Sequence, residues 1–209
     1  MCKLNFWKLQ HLLALMMFVL ALPVSAQDSY YTRVDPPQPT DQPAKIEVIE
    51  FFAFSCPHCS NLYAPLAAWV KKLPPDVVFK RIPVTFNRAA MASNARLFYA
   101  LEAIGQLDRL EEEIFRAHEQ RLNLYDEDTL IKWIATKGVD PQKFKEAFKS
   151  FGADSQAKRA DRLAQNYNIP GVPTIVVDGK YRLETREPAE LLANTDRVIA
   201  KVRAERGNK

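Results

Sequence analysis

Two cysteines separated by two residues stand between a predicted strand and a predicted helix. Residues 46–54 (IEVIEFFAF) are apolar apart from two glutamates, which predicts a strand buried on both faces of a sheet. The tetrapeptide 56–59 (CPHC) follows, and Pro57 suits the first turn of a helix because its missing N–H leaves no hydrogen bond unmade there. Apolar side chains then recur at helical spacing over 62–73. A cysteine pair at such a junction is typical of a redox motif.

The N-terminus has the features of a secretory signal peptide. Two lysines precede the uncharged apolar run 12–22, and the small residues Val24 and Ala26 stand at positions −3 and −1 of a cleavage site. The apolar run is shorter than the roughly 20 residues that span a bilayer. We therefore expect residues 1–26 to be removed and the mature chain, 27–209, to be exported.

Charge and composition exclude several classes of protein. Two of the 29 basic residues and none of the 25 acidic ones lie in the signal peptide, so the mature chain has a formal charge of +2. Such a balance gives no basis for nucleic-acid binding. With 47% hydrophobic and 26% charged residues, the chain is able to bury a core and is neither disordered nor membrane-embedded.

Cysteine usage points to chemistry rather than to a structural role. Cys2 leaves with the signal peptide, so the exported chain keeps Cys56 and Cys59 alone. A disulfide that closes so short a loop constrains the unfolded chain little. A zinc site needs about four ligands, and His58 and His118 are a poor complement to one cysteine pair. We therefore favour a redox-active pair over an inert disulfide and over zinc, and expect no metal and no cofactor other than this disulfide.

The order of predicted elements defines the fold class. A strand at 77–84 follows the first helix and completes a βαβ unit, and a strand at 173–177, a turn at 178–179, a strand at 181–183 and a helix over 187–206 make a ββα unit. The intervening signals are helical, over 88–104, 106–121, 127–137, 141–150 and 153–167. Upstream, a short strand candidate at 30–34 opens an extended arm with four prolines that reaches residue 45.

This order predicts an α/β chain with a thioredoxin-like fold and a helical domain inserted between its βαβ and ββα halves. The expected boundaries are 27–86 with 169–209 for the thioredoxin-like domain and 87–168 for the insertion. We expect the core of the insertion to contain its aromatic side chains, Phe98, Tyr99, Phe144, Phe148 and Phe151. His118 lies in a charged helix with Glu111, Glu112, Glu113, Arg116 and Glu119, which predicts a solvated face.

The helix start explains how the two cysteines would differ. Amide groups at a helix N-terminus and the helix dipole favour a negative charge at Cys56, which lowers its pKa below the ordinary value of about 8.5. His58 adds a donor or a positive charge. Cys59 lies one turn further on, so we expect it to point into the protein and to be the slower, resolving thiol.

Glu50 and Pro173 are candidate site residues with open alternatives. An ionised Glu50 in the middle of an apolar strand is costly unless it is paired, and burial raises its pKa. It would either exchange a proton with Cys59 through water or form a structural pair with Lys80 or Arg81 on the next strand. Pro173 opens a late strand, and the residues alone leave its peptide bond either trans or cis.

Three segments of the sequence resemble the DsbA family of bacterial periplasmic thiol:disulfide oxidoreductases. They are 49–59 (IEFFAFSCPHC), 171–173 (GVP) and 178–181 (DGKY), and the resemblance covers essentially the whole mature chain. It implies the following roles: Cys56 as the attacking and leaving thiol, Cys59 as its buried partner, His58 as the thiolate stabiliser, Pro173 as a cis proline facing the disulfide, Glu50 as a proton carrier, and Val172 and Pro57 as substrate-binding residues.

The expected function is that of an exported oxidase that donates its Cys56–Cys59 disulfide to newly translocated proteins. The resemblance further implies unfolded or folding exported proteins as substrates, a quinone-linked inner-membrane reoxidant of the DsbB type, a periplasmic location and a monomer. Two alternatives stay open. A disulfide isomerase or reductase would share the motif, and a non-redox peptide-binding chaperone would share the fold without needing both thiols.

Overall fold

The computed structural model describes residues 30–207, so the predicted signal peptide, 1–26, lies outside the described residues. The strands are β1 (Thr32–Arg33), β2 (Ile46–Phe52), β3 (Val77–Pro83), β4 (Thr174–Val177) and β5 (Tyr181–Leu183). The helices are α1 (Pro57–Val70), α2 (Ala89–Ala103), α3 (Leu107–Glu119), α4 (Glu127–Thr136), α5 (Pro141–Phe148), α6 (Phe151–Asn166) and α7 (Pro188–Gly207).

The five strands form one mixed sheet in the order β1-β5-β4-β2-β3. β2 runs parallel to β3, with Glu50 opposite Arg81, and antiparallel to β4, with Glu50 opposite Ile175. Every residue of β2 is buried, as its nearly continuous apolar sequence predicts for a central strand. Five helices, α2 to α6, follow between β3 and β4. The thioredoxin-like fold with helices between its βαβ and ββα halves is thus confirmed.

Local capping explains where the inserted helices begin. The side chains of Asp126, Asp140 and Ser150 accept hydrogen bonds from backbone N–H groups in the first turns of α4, α5 and α6. Ser150 accepts from the Ala153 N–H at 3.1 Å, so α6 begins at residue 151 rather than at the predicted 153.

One aromatic assignment in this segment was wrong. Phe98, Phe144 and Phe148 are buried and Tyr99 is half-buried, but Phe151 is 86% exposed. The reason is its position, because Phe151 is the first residue of α6 after the cap and lies before the stretch of that helix that packs on the core.

The proline-containing arm is held against the β4–β5 hairpin. β1 is only two residues long, shorter than the predicted 30–34, and pairs with β5. Asp178 and Gly179 form the hairpin turn with φ values of 56° and 67°, the left-handed conformation that such a two-residue turn needs. The N–H of Gln38 donates to the Gly179 carbonyl at 2.9 Å, and a Cβ at Gly179 would lie 2.0 Å from the Gln38 carbonyl oxygen. Glycine is therefore required at this close approach.

The core joins the end of the sheet to the inserted helices. Phe52 and Phe54, at and just after the end of β2, pack edge-to-face or tilted on Phe98 of α2 and Phe115 of α3. Cys59 is a buried member of the same cluster, with Cys56 packed at its margin. The cysteine pair thus lies where the sheet meets the inserted helices. Within residues 30–207, no helix has the length and apolar content to cross a bilayer.

Candidate active site

Cys56 and Cys59 occupy different environments at the start of α1. Cys56 is the N-cap residue, with an extended backbone (φ −94°, ψ 115°), and is half-buried. Pro57 is the first helical residue, as predicted, and both Pro57 and His58 are exposed. Cys59 has no exposed surface. Both sulfurs are free thiols, so the structure represents the reduced form of the pair.

The Cys56 thiol is acidified by its neighbours. Its pKa is lowered to about 6, chiefly by a hydrogen bond from the Cys59 thiol, and burial partly opposes this effect. Backbone hydrogen bonds from Cys59 and His58 lower the pKa further, and the positive charge of His58 makes the smallest contribution. The helix N-terminus therefore acts as the sequence predicts, whereas the Cys59 side chain is a donor that sequence reasoning missed.

The Cys59 thiol has the opposite tendency. Burial raises its pKa far above the ordinary value, and the Cys56 sulfur and the Glu50 carboxylate raise it further. Cys59 therefore stays protonated while Cys56 ionises, and it needs a proton acceptor whenever it reacts as a thiolate.

The loop before β4 lies against the Cys56 sulfur. The Val172–Pro173 peptide bond is cis, as the family resemblance implies. In its thiol form Cys56 donates a hydrogen bond to the Val172 carbonyl at 3.3 Å. Pro173 is buried, Val172 is half-buried, and the Thr174 hydroxyl closes the loop by donating to the Gly171 carbonyl at 2.8 Å. The structure thus brings Val172 and its loop, 116 residues away in sequence, to Cys56.

Glu50 is paired with Arg81, one of the two partners that the sequence offered. Arg81 Nε donates to Glu50 Oε2 at 2.5 Å, and Lys80 instead pairs with Glu47 and Asp41. Glu50 is completely buried, and this desolvation raises its pKa although Arg81 lowers it. The Glu50 carboxyl group therefore pairs with Arg81 and also interacts electrostatically with Cys59.

The predicted solvated face of α3 was wrong for Glu111 and His118, whereas Glu119 is exposed as predicted. Glu111 is buried and accepts a hydrogen bond from Arg81 Nη1. His118 is half-buried, with its Nε2 at 3.0 Å from the Asn94 amide nitrogen, and burial lowers its pKa to about 4. Glu119 accepts from the Ser60 hydroxyl at 2.5 Å.

The spacing of α3 contained a signal for Glu111. This residue lies four positions after Leu107 and three before the buried Ile114, which places it on the apolar face of the helix. A single glutamate at such a position needs a cation, and Arg81 provides it.

No group of three or more His, Cys, Asp or Glu side chains within residues 30–207 is arranged to hold a metal ion. The site offers two thiols and the charged groups around them. The site combines an ionisable thiol at a helix start, a buried protonated thiol and a cis-proline loop that faces the first thiol. On this fold, these features define a thioredoxin-fold thiol:disulfide oxidoreductase.

Comparison with known proteins narrows this class. The family model of the DSBA-like thioredoxin domain matches residues 47–195. The sequence is 41% identical to the thiol:disulfide interchange protein DsbA of Bordetella parapertussis over 152 residues, 72% of each chain. It is 36% identical to the Pseudomonas aeruginosa DsbA over 178 residues, which is 83% of this chain and 84% of that one.

Solved structures agree. The crystal structure of Pseudomonas aeruginosa DsbA matches with a TM-score of 0.81 and 35% identity, covering 85% of this chain and 94% of that one. DsbA from Xylella fastidiosa matches with a TM-score of 0.77 and 28% identity, covering 83% of this chain and 95% of that one. The chain belongs to the DsbA family of thiol:disulfide interchange proteins and is a disulfide oxidoreductase.

Proposed function

We propose that this protein donates its Cys56–Cys59 disulfide to unfolded or folding exported proteins. The observation that carries this proposal is the contrast between the two sulfurs. Cys56 is accessible and its pKa is lowered to about 6, whereas Cys59 is buried and its pKa is raised. An accessible sulfur that leaves readily as a thiolate suits a disulfide donor, because a low leaving-group pKa speeds thiol–disulfide exchange.

The proposed reaction has two exchange steps. A client thiolate attacks the Cys56 sulfur of the disulfide, a client–Cys56 bond forms, and Cys59 leaves and takes up a proton. A second client thiolate then attacks the client sulfur of this mixed disulfide, and Cys56 leaves as a thiolate. The client gains one disulfide and loses two electrons, which the protein holds as its reduced pair.

Several neighbours have proposed roles in these steps. Because the Val172 carbonyl lies 3.3 Å from the Cys56 sulfur, a client segment joined to Cys56 would pass beside Val172 and the exposed Pro57. Pro173 holds that loop against the sulfur, His58 supports the Cys56 thiolate, and Glu50 exchanges the proton of Cys59. These assignments rest on position and electrostatics.

The lowered pKa also favours transfer of the disulfide from this protein to a client. At pH 7 a thiol of pKa about 6 is about 90% ionised, whereas an ordinary cysteine is only a few per cent ionised. This difference stabilises the reduced folded form by about 1 kcal/mol once solvent screening of the half-exposed sulfur is discounted. At about 1.4 kcal/mol per 30 mV, the couple becomes more oxidising by roughly 20 mV.

The setting that we propose follows the resemblance and the predicted signal peptide. Residues 1–26 direct export to the periplasm and are removed, 27–86 with 169–209 form the thioredoxin-like domain, and 87–168 form the inserted helical domain. An inner-membrane, quinone-linked protein of the DsbB type restores the disulfide. Mass spectrometry of the protein purified from a periplasmic extract should give the mass of a chain that begins at Gln27. A chain that still carries Met1 would contradict export with cleavage of the signal peptide.

Trapping of the mixed disulfide tests the proposal. Reduced Cys59→Ser is incubated with an unfolded client whose single cysteine is capped as a mixed disulfide with glutathione, so that the Cys56 thiolate bonds to the client sulfur and glutathione leaves as a thiolate. We expect a stable covalent complex at Cys56, because neither Cys59 nor a second client thiol is present to resolve it. Cys56→Ser is the matched control and should trap nothing. Equal trapping by both variants would contradict the assignment of roles.

Two alternatives predict different outcomes. A non-redox peptide-binding chaperone would keep its client binding and its function after both thiols are alkylated, whereas the oxidase loses function. An isomerase or reductase would rearrange or break client disulfides from its reduced form. The oxidase instead adds disulfides to a fully reduced client in stoichiometric amount from its oxidised form.

A further inference from the structure

A buried cluster of one arginine and two glutamates lies behind the cysteine pair. Arg81 of β3 donates to Glu50 of β2 through Nε and to Glu111 of α3 through Nη1. The side chains of Arg81 and Glu111 are each 10% exposed, and that of Glu50 is fully buried. Among residues 30–207, neither carboxylate has a second cation within salt-bridge distance. With all three groups ionised, the cluster carries a net charge of −1.

The surroundings of the cluster are mainly aromatic, and the groove beside Arg81 and Glu111 is also lined by Asp108 and by Lys71, which follows α1. The Arg81 guanidinium lies 3.9 Å from the ring centre of Phe52, and Tyr63 of α1 and Phe115 of α3 are at 5.5 and 5.8 Å. The other titratable groups that interact with the cluster are Asp108 of α3, Tyr63 and Cys59.

One cation is therefore divided between two buried carboxylates. Burial raises the pKa of both glutamates, that of Glu111 to about 7. Glu50 Oε1 and Arg81 Nη2 are buried and make no hydrogen bond to any part of the chain that the structure describes. Glu50 thus keeps an acceptor atom that Arg81 does not occupy.

We infer that Glu111 is a positioning residue for the dithiol reaction: it draws part of the Arg81 charge away from Glu50 and so leaves Glu50 able to accept the Cys59 proton. This inference rests on the proposed proton exchange between Cys59 and Glu50. It assigns to the inserted helices a part in the chemistry, since Glu111 belongs to α3 and is linked to Glu50 through Arg81.

The step concerned is the closure of the disulfide from a mixed disulfide. The Cys59 S–H gives its proton through water to the Glu50 carboxylate, the Cys59 sulfur forms a bond to the Cys56 sulfur, and the bound thiol leaves as a thiolate with the electron pair of the broken S–S bond. In the opposite direction, protonated Glu50 returns the proton to Cys59 as it leaves.

Removing the charge of Glu111 should change this step in a defined direction. In Glu111→Gln the whole charge of Arg81 acts on Glu50, so the Glu50 carboxylate is stabilised and its pKa falls. The rate of closure rises with pH as Glu50 ionises. Its midpoint should therefore move to lower pH by about half a unit or more.

The experiment measures closure of a mixed disulfide with glutathione between about pH 4 and 9. Reduced protein reacts with excess oxidised glutathione, portions are quenched with acid, and mass spectrometry follows the mixed disulfide and the closed form. Glu111→Gln is compared with the unsubstituted protein, with Glu50→Gln, and with Glu113→Gln. The last is a matched control, because Glu113 is a glutamate of the same helix that pairs with Lys137 instead.

The outcomes separate two hypotheses. If Glu50→Gln keeps the midpoint of the unsubstituted protein, the proton exchange itself is refuted. A second outcome is that the closure rate of Glu50→Gln no longer depends on pH, while the midpoint of Glu111→Gln is unchanged or shifts no more than that of Glu113→Gln. This outcome refutes only the role of Glu111. A loss of stability in Glu111→Gln without a shifted midpoint would mark Glu111 as merely structural.

A second measurement needs no charge-removing variant. In the reduced, unsubstituted protein, carbon-13 labelling of glutamate allows the carboxyl signals of Glu50 and Glu111 to be followed against pH. Two carboxyls that share one arginine should titrate as a coupled pair, each signal showing both steps. Glu111→Asp keeps the charge and serves for assignment. Two independent single-step curves would overturn the inference.

Discussion

The thiol of Cys59 donates a hydrogen bond to the Cys56 sulfur, and this contact lowers the pKa of Cys56 more than any other interaction in the site. The same proximity raises the pKa of Cys59, together with its burial and the Glu50 charge. The two sulfurs therefore cannot both ionise readily. One thiol becomes the nucleophile and leaving group because the other remains a protonated donor.

Replacement of His58 by leucine should raise the pKa of Cys56, but only by about half a unit. The positive charge of His58 makes the smallest of the contributions to this pKa, and the backbone N–H at position 58 remains. Thiolate absorbance at 240 nm against pH measures the change. An unchanged pKa would leave the helix N-terminus and Cys59 as its only determinants, and a rise of two units would mean that His58 dominates.

The stability of the reduced form should rise with pH relative to that of the oxidised form. The folded pKa of Cys56, about 6, is depressed below the unfolded value, so the stabilisation is fully present above the unfolded pKa and is lost as pH falls through 6. With solvent screening discounted, the gain between about pH 5.5 and 8 is about 1.5 kcal/mol, and it levels off above about pH 8.5, where the Cys59 thiol ionises in the unfolded chain but not in the folded one.

Urea unfolding of both redox forms across this pH range gives the difference directly. The chain-entropy effect of the four-residue disulfide ring, about 2 kcal/mol, does not vary with pH and drops out of the comparison. A difference that stays flat from about pH 5.5 to 8 would show that the Cys56 thiolate is not stabilised by folding.

Arg81→Met should destabilise the protein by about 3 kcal/mol at pH 7, because Glu50 and Glu111 lose the cation that they share. Without Arg81 their folded pKa values rise further above the unfolded ones, so the loss is present at high pH and shrinks as pH falls and the carboxyls protonate. Denaturant unfolding at pH 7 and pH 5 measures it. The control is Arg116→Met, whose exposed pair with Glu112 should contribute less than about 0.5 kcal/mol. Equal losses at the two pH values would contradict the charge argument.

The sheet and the cysteine site were accessible from the sequence because their signals are local. The apolar run of β2 predicts a buried central strand, and Pro57 after Cys56 predicts a helix start. The Asp178-Gly179 turn was equally clear, since both residues adopt the positive φ that it requires.

The missed features depend on distant partners. Glu111 looks like one more charge on α3 until the fold brings Arg81 to it, and His118 looks solvated until α2 places Asn94 beside it. These contacts join side chains on different elements, so they arise only when α2, α3 and the sheet pack together.

The thiolate titration of Cys59→Ala tests the central claim most directly, because alanine removes the donor and changes little else at this buried position. In the reduced, unsubstituted protein, absorbance at 240 nm should show one thiolate with a midpoint near pH 6. Cys56→Ser should abolish this change in absorbance. The account predicts that in Cys59→Ala the Cys56 midpoint rises by about one unit or more, toward the ordinary thiol value. The account would be contradicted by a midpoint that remains near pH 6 in Cys59→Ala, or by an absorbance change near pH 6 that persists in Cys56→Ser.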